Sequence, residues 1–403
     1  LTILYFADVR FPLERANGIQ TMETCWALAE RGHDVRLVVR PDTTSPQRDP
    51  FAFYGLPPQA RLAIERAPIR SSGMPAIARR LGYLAFAAGR ASGGSRADVV
   101  MTRDLAVAAL LLRLPSRPPI VYESHGYAPD LASGLPTMIS TAAPPSEAKL
   151  ARLARREAYV WSRADGYVTI TAGLRDELTR RFGTRPRVAV VHDGARIAAR
   201  PSSPASSSDS VSRVVVGYAG HLYAWKGVDA LVEALARIPN AAGLIVGGHE
   251  KEPDLARVRA LAAARGIADR VTFTGHVPPS DVASHLARAD VLVLPNPESP
   301  IATHATSPLK LFEYMAARKA IVASDLPSIR EVLSHDVNAI LVKPGDADAI
   351  ASAIRTLAGD RALRERLAAS ACEAGASYSW ARRAERLDAL FGEVLASRGS
   401  RAS

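Results

Sequence analysis

Apolar residues follow two alternating patterns along the first half of the chain. Residues 2–7 are almost continuously apolar, a loop follows from Asp8 to Asn17, and apolar positions then recur at helical spacing over residues 18–31 before a second short run at 35–39. This opening predicts a strand, a helix and a parallel strand. Further short runs at 99–102, 120–123, 166–170 and 188–191 predict strands separated by helices rich in Ala, Leu and Arg. Residues 198–212, AARPSSPASSSDSVS, are depleted of large apolar groups and predict a linker. The pattern then restarts, with strand candidates at 214–218, 243–246, 271–274, 290–294, 320–323 and 339–342. Short Val, Ile and Leu runs between helices imply strands buried on both faces, hence parallel sheets. The predicted fold class is therefore α/β, with two Rossmann-like doubly wound domains over residues 1–197 and 213–377. Ligands of such sheets bind beyond the carboxyl ends of the strands, so the expected site is the cleft between the domains. Residues 378–395 predict an amphipathic helix at the end.

The second half carries the sharper chemistry. Ser307-Pro308-Leu309-Lys310-Leu311-Phe312-Glu313-Tyr314-Met315-Ala316 reads as a loop and a helix leading into the strand at 320–323. Pro308 suits the first helical turn and Ser307 can cap it. Leu309, Phe312 and Met315/Ala316 form one apolar stripe, with Lys310 and Glu313 expected to project elsewhere. An open helix N-terminus beside a sheet is an anion site. A carboxylate one turn inside it lies too close to a bound phosphate to help hold it, so Glu313 suits sugar hydroxyls next door. A nucleoside diphosphate offers both groups. Lysine is rare in this arginine-rich chain, at positions 149, 226, 251, 310, 319 and 343, so Lys226 between Trp225 and Gly227 stands out. Its ammonium can meet a pyrophosphate as a compact charge while Gly227 lets backbone N–H groups approach.

The same segment, with Gly220-His221-Leu222-Tyr223-Ala224-Trp225-Lys226-Gly227 upstream, resembles the nucleotide-sugar half of retaining GT-B glycosyltransferases, specifically glycosyltransferase family 4. The resemblance runs through most of the chain and is strongest over residues 214–342. It implies transfer of a sugar from a nucleotide-activated donor to an acceptor hydroxyl with retention at the anomeric carbon. It assigns the leaving diphosphate to Lys226, to the helix N-terminus at Ser307, Pro308 and Leu309, and to His221, which stands where many relatives carry Arg. Glu313 would hold the ribose, and Val277 in Gly275-His276-Val277-Pro278 would lie in the loop that reads the nucleobase. His125, in Tyr122-Glu123-Ser124-His125-Gly126, would face the donor sugar. Gly18, capped by Asn17, would sit in the glycine-containing loop near the donor phosphate or the acceptor. Glu123 is either an acceptor ligand or the partner of an arginine. The terminal helix would cross back to the first domain. With no evident nucleophile, the leaving phosphate would serve as the base for same-face attack.

Three departures bear on this reading. Many members carry two glutamates eight positions apart; Glu313 fits the second, and Ala305 occupies the place of the first, with Glu298 and His304 as candidate substitutes. Arg318 replaces the glycine often found after Met-Ala-Ala. No Asp-x-Asp motif accompanies the strands, so no metal and no cofactor beyond the nucleotide-sugar co-substrate are expected. A catalytically inactive nucleotide-sugar-binding or scaffold partner is the alternative that Ala305 suggests. A nucleotide-sugar epimerase or a phosphorylase of the same architecture is the other.

Composition narrows the field. At 403 residues two domains are the default, and the hydrophobic fraction of 48% describes a globular protein. No run is long and apolar enough to span a bilayer, and the opening residues lack a basic leader or a cleavage site. Cys25 and Cys372, far apart, suit a reducing cytoplasm. The G-x-G-x-x-G dinucleotide fingerprint is absent, which counts against a nicotinamide dehydrogenase. The net charge of +11 lies almost wholly in the first half, where residues 1–200 carry 28 Lys plus Arg against 18 Asp plus Glu. Two basic helical stretches, 75–96 and 149–163, suit anionic lipid headgroups or an acidic acceptor, such as a lipid-linked or glycan acceptor at the inner face of a membrane. Nucleic acid is not expected, because no recognition motif or aromatic-interleaved stripe accompanies the charge.

Overall fold

The structure, a computed structural model, describes residues 1–69, 73–92, 96–138, 143–197, 213–250, 252–299 and 308–402. The predicted linker 198–212, Ser307, Ala305 and His304 therefore lie outside the described residues. The chain divides into two compact units. One comprises Leu1–Ser133, Pro144–Asp193 and Trp380–Ser403, and the other Gly134–Ala143 and Gly194–Ser379.

In the first unit β1 (Thr2–Arg10), β2 (Asp34–Arg40), β3 (Leu62–Arg66), β4 (Val99–Thr102), β5 (Ile120–Ser124), β6 (Gly166–Thr169) and β7 (Val188–Val190) form one sheet. Its order is β3-β2-β1-β4-β5-β6-β7, and every pair in it is parallel. In the second unit β8 (Val214–Ala219), β9 (Ala241–Val246), β10 (Val271–Gly275), β11 (Val291–Leu294), β12 (Ala320–Ser324) and β13 (Ile340–Val342) are also parallel, in the order β10-β9-β8-β11-β12-β13. Each sheet reverses its strand order once, at β1/β4 and at β8/β11. Crossover helices leave for opposite faces there, and the strand ends splay into a crevice.

Both faces of the second sheet are covered. Val291 and Val293 belong to the core beneath one face with Leu231, Val258 and Ile354. Leu292 and Leu294, pointing the other way, join Phe312, Met315 and Ile329. Unbroken apolar runs are what such strands require, which is why the pattern was readable.

Four elements depart from expectation. β3 (LAIER) alternates polar and apolar residues as a half-exposed edge strand, and the short helix Pro50–Tyr54 starts on the Asp49 cap; neither carries a buried-strand signature. β1 runs on to Arg10 because Asp8 on the strand is satisfied by Arg40 at 3.1 Å and Arg80 at 2.7 Å. The first long helix begins at Ala16, with Arg15 as its N-cap and no side-chain cap, so Asn17 and Gly18 lie in its first turn. Asn17 does not cap; its Oδ1 accepts a long bond from the Thr21 hydroxyl at 3.4 Å.

The terminal helix, Trp380–Ala402, packs within the first unit, where Leu390 and Val394 press against Gly166 of β6. Arg318 has a φ of 54°, the left-handed conformation that explains a preference for glycine at this turn.

A Cβ on Gly18 would run into the Leu13 carbonyl oxygen and the Tyr54 hydroxyl, which already bond to each other at 2.8 Å. Gly18→Ala should therefore destabilise the protein by about 1–3 kcal/mol, read as a lower urea midpoint with an unchanged slope.

Candidate functional site

In the second unit the chemistry gathers at the switch point of the sheet. Gly220 follows β8, its φ of 127° turns the chain away, and the segment His221–Lys226 continues as a loop and one 3-10 turn. Gly227 closes the turn at φ 75°, and a Cβ there would occupy the space of the Pro295 carbonyl oxygen just after β11. Only glycine fits both demands. Lys226 is thereby held half-buried, with its Nζ 3.5 Å from the centre of the Trp225 ring. Burial pushes its ammonium pKa down to about 7.

Lys310 overturns the expectation that it projects away from the apolar stripe. It is buried on the helix Leu309–Ala316, its Nζ donates to the Tyr218 hydroxyl at 2.6 Å, and it lies 3.8 Å from that ring's centre. The absence of a side chain at Gly220 makes the room, since a Cβ there would sit 2.9 Å from Nζ. Burial, and then the nearby charge of Lys226, hold the Lys310 pKa well below the usual range, with Glu313 acting against them. Among the described residues neither lysine has a carboxylate within ion-pair distance.

The helix that carries Lys310 opens on Pro308, at the N-cap and not in the first turn, and no side chain caps it. Pro308 and Leu309 are buried, so the first-turn N–H groups sit beside the lysine pair with the positive end of the helix. Glu313 is half-buried one turn on. His221 stacks on Tyr223 with rings 5.0 Å apart and 5° from parallel; its Nδ1 lies 3.5 Å from Glu252, which also accepts from the Tyr223 hydroxyl at 2.9 Å. Val277 is partly buried in the loop after β10. Glu298 is exposed in the segment after β11.

Sequence reasoning missed two polar groups here. The Trp225 indole N–H and both polar atoms of the Asn296 side chain are buried without a hydrogen-bond partner among the described residues. Orphaned polar atoms of this kind are costly unless a ligand or water meets them. Nothing in the spacing of Trp225 and Asn296 could have marked them.

In the first unit, His125 follows β5, with 19% of its side chain exposed. Its Nε2 is 2.5 Å from Glu123 Oε1. Glu123 is fully buried, accepts from Gln20 Nε2 at 2.5 Å and pairs through Oε2 with Arg383 Nη2 at 2.5 Å. Of the two roles open to Glu123, the structure assigns the arginine partner. An acceptor cannot reach a carboxylate whose oxygens are enclosed and occupied. Burial and the charge of Arg103 lower the His125 pKa, with Glu123 opposing them. The backbone N–H of Gly18 donates to the Arg15 carbonyl at 2.8 Å and the residue is buried, so the donor-phosphate contact expected of it is already spent within the turn. Asn17 is half-buried in the same turn.

Comparison with known proteins agrees with this geometry. The family model described as "Glycosyl transferases group 1" matches residues 213–360, and "Glycosyl transferase 4-like domain" matches residues 18–194. Alpha-D-kanosaminyltransferase of Streptomyces kanamyceticus is 29% identical over 187 residues, 45% of this chain and 46% of that protein. D-inositol 3-phosphate glycosyltransferase of Xylanimonas cellulosilytica is 28% identical over 261 residues, 61% of each. The chain thus spans about half to two thirds of the length of these relatives. Sucrose-phosphate synthase from Thermosynechococcus elongatus shares the fold, with a TM-score of 0.78 and 19% identity over 98% of this chain and 99% of its own.

The depressed Lys226 pKa has a measurable consequence. Folded Lys226 releases its proton near pH 7, whereas an unfolded lysine keeps it to about pH 10.4, so the unfolded chain binds more protons between those values. Stability should rise with pH across that window, and Lys226→Met should flatten the rise in urea titrations at pH 7 and pH 9.

Proposed function

Because the chain belongs to the glycosyl transferases of group 1, preceded by the 4-like domain that accompanies them, we propose that it moves a sugar from a nucleoside-diphosphate donor to an acceptor hydroxyl with retention at the anomeric carbon. One observation carries the donor assignment. Two neighbouring lysines, Lys226 and Lys310, the second in the first turn of a helix without a side-chain cap, have no carboxylate within ion-pair distance among the described residues. Like charges in a partly dry setting are favourable only when an anion joins them, and a diphosphate brings the charge and the oxygens that fit.

In this reading the ammonium groups and the first-turn N–H groups of Leu309 and Lys310 stabilise the leaving diphosphate as the glycosidic bond lengthens. Pro308 forms the approach to that helix. Glu313 accepts from the ribose hydroxyls, His221 adds a donor to the phosphates, and Val277 lies along the base. In the first unit, His125 is assigned to a sugar hydroxyl. A departing phosphate oxygen removes the acceptor proton on the same face, which gives retention without a covalent sugar-enzyme bond. The lysine pair supplies the positive charge, so the reaction proceeds without a divalent metal.

The acceptor side of the proposal is a membrane-associated or otherwise anionic acceptor. Along the helix Ala76–Ala91 the exposed positions include Ile77, Leu81, Ala85 and Gly89, four residues apart and all apolar or small, with Ile77 73% and Leu81 61% exposed. Arg80 on this helix lies close enough to Arg156, on the helix Glu147–Arg163, to lower that guanidinium's pKa together with burial, Arg152 and Arg113. Arg80 itself is paired with Asp8 and Asp104, but Arg152 is exposed, and exposed apolar side chains together with such free guanidinium groups match an anionic bilayer, which takes the first into its interface and the second at its headgroups. No helix among the described residues is long and apolar enough to cross a membrane, so the contact proposed is peripheral.

Donor turnover tests the reading. The protein is incubated with UDP-, GDP-, ADP- and dTDP-sugars in the presence of EDTA, alongside Lys226→Ala and Glu313→Ala. One nucleotide should be released, and each substitution should reduce its release by at least about a hundredfold. Proton NMR of the product should show the donor's anomeric configuration. No consumption of any donor, together with no nucleotide binding, would replace the reading by that of an inactive partner. In a separate experiment, vesicles rich in anionic lipid should sediment the protein and zwitterionic vesicles should not. Ile77→Ser/Leu81→Ser should abolish sedimentation with turnover of a soluble donor unchanged; unaltered sedimentation defeats the membrane assignment.

A further inference from the structure

The interior of the first unit holds an ion network that no motif in the sequence marks. Arg383, on the terminal helix and only 1% exposed, spreads its guanidinium over three other elements. Nε donates to the Thr24 hydroxyl at 2.9 Å on the helix Ala16–Glu30. Nη1 donates to the Val191 and His192 carbonyls at 3.0 and 3.1 Å after β7, and lies 3.6 Å from Asp193. Nη2 meets Glu123 Oε2 at 2.5 Å at the end of β5. The other oxygen of Glu123 takes Gln20 Nε2 and His125 Nε2, each at 2.5 Å. Gln20 is oriented in turn, because its Oε1 accepts from Arg103 Nη1 at 2.7 Å and only its amide nitrogen is left for Glu123.

From this geometry we infer that Arg383 is a positioning residue for His125, acting through Glu123 to hold the ring as the Nε2–H tautomer with Nδ1 as its sole acceptor. The inference deepens the glycosyltransferase reading and rests on it for the role of His125. Its logic is the hydrogen-bond inventory. An ionised carboxylate only accepts, so the ring nitrogen against Oε1 must carry the proton. A neutral ring then has one lone pair, on Nδ1. Burial and the charge of Arg103 disfavour the charged ring, Glu123 and Asp193 favour it, and the first two prevail. Arg383 keeps Glu123 ionised despite its burial, so the proton stays on the ring and does not pass to the carboxylate. A ring held this way accepts a hydroxyl proton from a sugar and cannot turn to donate one at the same position. The fork of five donors is what the task requires; a lysine reaches fewer of the acceptors that Arg383 joins.

The experiment reads the ring directly. Nitrogen-15 shifts of the histidine rings are recorded on the full chain, with the His125 signal identified by its loss in His125→Asn, and kcat and donor KM are measured in parallel. In the unaltered protein His125 should show one protonated nitrogen, Nε2. Glu123→Gln/Arg383→Met, which removes both charges together, should give a mixture of tautomers and lower kcat about 10- to 100-fold, with donor KM and nucleotide affinity unchanged within about twofold. Arg383→Lys should fall between the two. A protonated Nδ1 in the unaltered protein overturns the inference, as does a folded double variant with unchanged ring shifts and kcat. Where the double variant does not fold, the unaltered protein and Arg383→Lys still decide it. Absence of transfer by the unaltered protein defeats the functional reading alone, since the ring spectra judge the positioning independently.

Discussion

Parallel strands buried on both faces admit polar side chains along their length only where a partner meets each one, as Arg40 and Arg80 meet Asp8 and Arg383 meets Glu123. β8, β11 and β12 each pair with a strand on both sides, and their side chains are mostly Val, Leu, Ile and Ala. Ionisable groups therefore collect where the strands stop. Lys226 and Asn296 follow β8 and β11, and His125 follows β5. The glycines at 220 and 227 answer the same constraint, because the chain must turn within two or three residues and pass close to a neighbouring backbone.

Two charge arrangements result, and they differ in kind. The first unit balances its interior: Arg383 with Glu123 and Asp193, and Asp8 with Arg40 and Arg80. These pairs are closed, each charge met by an opposite one within the unit, and they hold side chains still. In the second unit, Lys226 and Lys310 have no carboxylate within ion-pair distance among the described residues, and lie instead against aromatic rings and a tyrosine hydroxyl. A closed network suits a scaffold behind a functional ring. An open one suits a ligand that supplies the missing sign.

The doubly wound sheets were legible because a short, unbroken apolar run between two helices fits little except a strand covered on both faces. Lys226 was legible because lysine is scarce in this chain. Lys310 was not, since helical periodicity places it off the apolar stripe, and only the small volume at Gly220 reveals where its ammonium goes. Asn17 and Gly18 misled for a related reason: a residue suited to capping does not cap when the helix starts before it. Glu123 was recognised as charged and near His125, yet its partner Arg383 lies 260 positions away. No local pattern encodes that distance.

That separation also sets an order of assembly. During synthesis β5 emerges long before the terminal helix, so Glu123 must wait through the whole second unit for the guanidinium that balances it. Until then the first unit carries an uncompensated acid at its centre and a loosely held histidine at its rim. This helix, made after the second unit, thus acts as a seal on the first, and a chain cut short before Trp380 would leave that domain unfinished however well its sheet had formed.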